Sequence, residues 1–182
     1  MSALKHIYSP TFYHQFSNVL AVIIPSFDKQ GFISQIFTAE FEQKELKERM
    51  RHTTQILHHF LPAEFSEAVP LIKKIIARLR HENVGDDSLG FIFLPDYIEM
   101  YGLDDFDTSI QALEFTTQFI TCEFAVRPFL LKYGDKMMEQ MLAWSHHKSH
   151  KVRRLASEGS RPRLPWAMAI PALKKNPTPV LP

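Results

Sequence analysis

A chain of 182 residues with 45% apolar and 12% aromatic content is long enough for a packed core and too apolar to be disordered. Its single cysteine, Cys122, excludes an intramolecular disulfide and the four-thiolate zinc patterns, so a reducing, cytoplasmic setting is expected. The net charge of +1 hides an asymmetry: from Ser145 to Pro182 eight Lys or Arg face one acid, Glu158, a local +7 against −6 elsewhere, which suits a protein that meets a polyanion with one surface.

In chain order, Met1 to His6 lacks the apolar core and small-residue cleavage site of an export signal. The longest apolar run, Val19 to Ile24, is far too short to span a bilayer, so no membrane partner is expected. Leu46, Met50, Ile56, Leu57, Phe60 and Leu61 recur with the period of one helix face, as do Val69, Ile72, Ile75, Ile76 and Leu79. Pro62 and Pro70 punctuate these helices near their starts. The turn-rich stretch Asn83 to Gly90 then separates an N-terminal helical bundle, 1–82, from a second part, 91–182.

That second part reads as short helical segments over Phe91–Tyr101, Ile110–Ile120, Phe124–Tyr133, Lys136–Trp144, Val152–Ser157 and Trp166–Leu173. The joints between them are only a few residues long, which predicts antiparallel helix pairs within one all-α domain over 1–182. Val126-Arg127 and Val152-Arg153 echo each other after a polar turn, a step that recurs in HEAT-like repeats, where the cation faces the concave side.

Several constellations carry chemistry. Glu123 and Arg127 are four residues apart, which on a helix makes an ordinary surface ion pair worth about 0.3–0.5 kcal/mol. The same spacing also suits a carboxylate lining a nucleic-acid groove, held ionised by Arg127. Pro128 cannot donate to Phe124, so the helix there starts late or kinks. His146, His147 and His150 have metal-like spacing but no acid or thiol beside them, and neither a metal nor an organic cofactor is expected. A basic loop and a helix N-terminus capped by Ser149, approaching phosphates, is one reading of that stretch; a solvated joint is the other. Arg161-Pro162-Arg163-Leu164-Pro165-Trp166 forms a stiff loop with Pro165 in the first turn of the next helix. Its tryptophan is either a core plug or an aromatic plate for a base or a cation. His58-His59 reads as packing. Phosphate-binding glycine loops, nucleophile elbows and two-histidine zinc motifs are missing from the sequence.

Taken together, Glu45-Leu46-Lys47-Glu48-Arg49-Met50-Arg51-His52, Phe93-Leu94-Pro95-Asp96-Tyr97 with Tyr101-Gly102-Leu103-Asp104-Asp105-Phe106, Glu123-Phe124-Ala125-Val126-Arg127-Pro128-Phe129, and Val152 to Gly159 with Arg161 to Trp166 resemble the AlkC-type DNA alkylation repair proteins. These are alkylpurine DNA glycosylases built from HEAT-like helical repeats. The resemblance implies a right-handed superhelix whose concave face holds double-stranded alkylated DNA. It further implies hydrolysis of the N-glycosidic bond to a cationic base such as 3-methyladenine. Glu123 would stabilise the cationic sugar and orient water, and Trp166 would pack on the sugar or lesion. The expected DNA-facing set is Arg127, His147, Lys148, Lys151, Arg153, Arg154, Arg161 and Arg163. Family members continue past a segment like Pro177 to Pro182 into further helix pairs with another catalytic Asp, so an incomplete array and self-association through an uncapped end are expected. A non-catalytic helical module binding DNA or protein is the alternative.

Overall fold

Capping chemistry sets the N-terminal helices. The Phe12 N–H donates to Ser9 Oγ at 3.2 Å and Pro10 occupies the first helical position, which opens α1 (Pro10–Ile23). The Gly31 N–H donates to Asp28 Oδ1 at 2.8 Å to open α2 (Lys29–Ile36). Glu45 and Glu48 form a reciprocal capping box at the head of α3 (Leu46–His58). In α4 (Phe65–His81) Pro70 lies well inside the helix, so the Ser66 carbonyl loses its helical donor. A computed structural model describes residues 4–84 and 88–180, and among the described residues every regular element is helical.

The faces read from periodicity are buried: Met50, Ile56, Leu57 and Leu61 on one segment, Val69, Ile72, Ile75, Ile76 and Leu79 on the next. Leu46 and Phe60, read on the first of these faces, are only half-buried. The two faces close around an aromatic cluster that periodicity does not reveal, with Phe16 and Phe93 ring centroids 5.1 Å apart and Tyr13 and Phe37 5.5 Å apart. Such pairs add about 0.5–1.5 kcal/mol each beyond their burial. Arg49, 2% exposed, donates through Nε to Lys44 O at 3.0 Å and through Nη2 to Glu42 O at 3.2 Å. Asp96 is buried in the same unit, where burial raises its carboxyl pKa, opposed by the Thr54 hydroxyl at 2.7 Å and Arg51 Nη2 at 2.8 Å. Of the two histidines read as packing, His58 is half-buried with Nδ1 3.0 Å from Tyr97 Oη, whereas His59 is exposed, its Nδ1 3.1 Å from Gln35 Oε1, so the packing reading is corrected for His59.

The chain divides into two compact units, Met1–Tyr97 and Ile98–Pro182. The joint expected at Asn83 to Gly90 falls partly on residues 85–87, outside the described residues. The division lies instead within α5 (Phe93–Gly102), because Phe91 and Phe93 contact Phe12 and Phe16 of α1 and so belong to the first unit.

The second unit holds α6 (Phe106–Thr117), α7 (Val126–Tyr133), α8 (Asp135–Ser145), α9 (His150–Gly159) and α10 (Pro171–Lys175). Here α8 packs on α7 and α9, and α6 on α9. Gly134 at φ +50° makes the one-residue joint between α7 and α8. The helix expected at Phe124 starts late, at Val126, which places Pro128 in the first turn where an amide has no helical partner anyway. The helix expected from Trp166 is a correction: residues 161–170 form a loop, and α10 begins at Pro171.

A Cβ added to Gly159 would lie 2.6 Å from Val126 Cγ1 and 3.0 Å from Met141 Cε. Gly159→Ala therefore sets about 1 kcal/mol of helix propensity against about 1–3 kcal/mol of overpacking. Val126 is stiff at χ1 and fully buried, so the clash prevails. The expected result is a lower urea midpoint with an unchanged slope.

Candidate functional site

Glu123 lies in the turn before α7, outside the helix, its side chain 13% exposed. The ion partner it meets is Arg154 of α9, with Nη2 3.4 Å from Glu123 Oε2. The expected Glu123–Arg127 pair is therefore corrected. Helical spacing does not apply, because Glu123 precedes the first residue of α7. Beside it, burial pushes the Cys122 thiol well above its ordinary pKa, which makes it inert.

Arg127 is 0% exposed, so its expected place on the DNA-facing surface is also corrected. Its Nη1 donates to Gly159 O at 2.9 Å and Arg161 O at 2.8 Å, its Nη2 to Pro162 O at 3.4 Å, and its Nε to Met168 O. Burial lowers its pKa from the usual arginine value, yet the group remains a cation because guanidinium does not deprotonate in proteins. A cation with carbonyl partners is a clamp on a loop.

That loop presents Trp166. The Ala167 N–H donates to Leu164 O at 3.2 Å across Pro165 and Trp166, and Trp166 has φ +65°. This is the pattern of a type II turn, with proline at its favoured second position and tryptophan at the third, where glycine or asparagine belongs. A bulky residue held there is strained by roughly 1–2 kcal/mol. Trp166 is also 58% exposed, which excludes the core plug. The buried tryptophan is Trp144, whose Nε1 donates to Glu114 Oε2 at 2.8 Å.

The remaining cations spread along α9 and its flanks. His147 is half-buried: its Nδ1 accepts the Ser149 N–H at 3.0 Å, and its Nε2 faces Glu114 Oε1 at 3.6 Å. Ser149 occupies the N-cap position of α9 without a side-chain capping bond. Arg153 reaches back to the carbonyls of His147 at 2.8 Å and Lys148 at 2.9 Å, so both arginines of the Val-Arg echo serve backbone. Lys148, Arg154 and Arg163 are exposed and Lys151 is half-buried, while Arg161 is exposed with Nη2 3.0 Å from Glu158 Oε1. The structure thus brings Glu123 to mid-α9 through Arg154, and brings the Trp166 loop to α7 through Arg127. Among the described residues no helix is long and apolar enough to cross a membrane.

No family model matches the chain. It is 45% identical over 182 residues to the uncharacterized protein YhaZ of Bacillus subtilis (strain 168), covering 100% of this chain and 49% of that one. The solved structure of the Pseudomonas fluorescens alkylpurine DNA glycosylase AlkC, bound to DNA containing an abasic site analog, is 33% identical. It matches with a TM-score of 0.89 over 99% of this chain and 48% of its own. The chain spans about half the length of these relatives. In sequence and in helical fold, the resemblance to the AlkC-type DNA alkylation repair proteins holds over 99% of the chain.

Proposed function

We propose that this chain carries the lesion-recognising surface of a DNA-repair glycosylase that removes cationic N-alkylated bases, such as 3-methyladenine, from duplex DNA. The observation that carries the reading is Trp166: the side chain is 58% exposed, and backbone preference opposes it at φ +65°. Strain of this kind persists where a side chain serves a site. The likeness to a DNA-bound glycosylase supports the same reading.

The chemistry asks little of the protein. The C1′–N bond breaks, the base departs with the electron pair and neutralises its own charge, and water adds to C1′ and loses a proton. Glu123 provides negative charge for the cationic sugar and an acceptor for the water. Trp166 offers a π face to the cationic base. Lys148, Arg154 and Arg163 suit phosphates. A module that binds without turnover is the second reading, favoured by the Arg154 contact that occupies Glu123 in the free chain.

The test is release of free 3-methyladenine from methylated duplex by this chain, beside its affinity for the same duplex as salt is raised. Release is the expected result. Binding that falls steeply with salt but yields no free base would establish the second reading, and absence of both would end the DNA assignment.

A further inference from the structure

Arg49 and Arg127 are both fully buried arginines, and each clamps a loop through backbone carbonyls. What the loops carry differs. Arg49 also meets Glu42 Oε2 at 3.3 Å and lies 4.5 Å over the Phe41 ring, and Phe41 is buried. That loop is closed inward. The carbonyls held by Arg127 bracket the turn at Leu164–Ala167, with Gly159, Arg161 and Pro162 before it and Met168 after it. Pro162 O also accepts the Ile170 N–H at 3.1 Å, which ties the neck of the loop. At its tip stands Trp166, 58% exposed.

A bulky side chain in the left-handed region persists only where its surroundings over-determine the backbone. Arg127 restrains the neck of this loop from the helix that Glu123 immediately precedes, through carbonyls on both sides of the turn. Only a planar fork of donors can serve carbonyls on both sides of the turn at once; an ammonium is a point donor.

We propose that Arg127 is a positioning residue: by clamping the neck of the 159–168 loop from α7, it fixes the Trp166 ring relative to Glu123, so that a planar cationic base meets both. This rests on the proposed lesion-binding role of Trp166. The clamp itself can be measured without DNA.

The experiment follows Trp166 by time-resolved fluorescence anisotropy and acrylamide quenching in the full chain, with Trp166→Phe isolating the buried Trp144 signal. In the wild-type chain, the Trp166 emission should depolarise only with overall tumbling. Arg127→Lys should add a fast nanosecond component and raise quenching at Trp166. Arg49→Lys, which loosens a loop that carries no exposed aromatic, should lower the thermal midpoint and leave the Trp166 signal unchanged. With methylated duplex, Arg127→Lys should lower kcat for base release by about 10²-fold, the scale of a misplaced catalytic geometry, while affinity for unmodified duplex is retained. Fast wobble of Trp166 in the wild-type chain overturns the proposal even if Arg127→Lys does not fold. A rigid Trp166 in a folded Arg127→Lys chain overturns it too. A chain that releases no base still yields the anisotropy result, so the clamp and the glycosylase reading fail separately.

Discussion

Exchanging Glu123 for glutamine is expected to lower base release by roughly 10²–10³-fold, the scale of removing one electrostatic stabiliser from a transition state, with duplex affinity little changed. Glutamine keeps the size of the side chain and an oxygen that can accept from Arg154 Nη2, which approaches Glu123 Oε2 at 3.4 Å. What it removes is the negative charge. The sugar becomes cationic only as the C1′–N bond breaks, so the loss falls on kcat and not on ground-state binding. The assay measures free base under single-turnover conditions beside a duplex titration. Equal losses in both would show that Glu123 binds DNA and takes no part in chemistry.

Trp166→Gly should move stability and function in opposite directions. Relief of the left-handed tryptophan at φ +65° returns roughly 1–2 kcal/mol. The greater unfolded-state freedom of glycine takes back about 0.4–1 kcal/mol. With the ring 58% exposed, little burial is lost, and the net gain lies between about nil and about 1.6 kcal/mol, each kcal/mol raising Tm by about 2–4 °C for a chain of this size. Preference for alkylated over unmodified duplex should disappear together with base release. Thermal unfolding and a competition titration on one preparation decide it; a lower Tm with unchanged preference would make the ring a packing element.

The helices from α3 to α9 were legible because their apolar residues recur with a helical period and mostly do reach the core. Two helices, α1 and α2, were not. Apolar residues are too dense in α1 for one stripe to stand out, and the readable signals were the caps, Ser9-Pro10 and Asp28 with Gly31. Pairing at the site depended on contacts no local pattern encodes. Arg154 comes to Glu123 from 31 residues along the chain, and Arg127 reaches Met168 across 41. The segment from Trp166 has helical composition, yet Arg127 holds the carbonyls of Pro162 and Met168 and the chain turns at Pro165. The quoted motifs carried the family resemblance without fixing the geometry of these residues.

The partners of Arg127 are dipoles, not a carboxylate, and this has a bearing on solution behaviour. Carbonyls neither titrate nor attract counterions, so the hold of Arg127 on the loop that presents Trp166 should persist through acidification and through added salt alike. Responses to salt and acid then belong to the groups that carry charge to the surface: the phosphate contacts, and the Arg154–Glu123 and Arg161–Glu158 pairs.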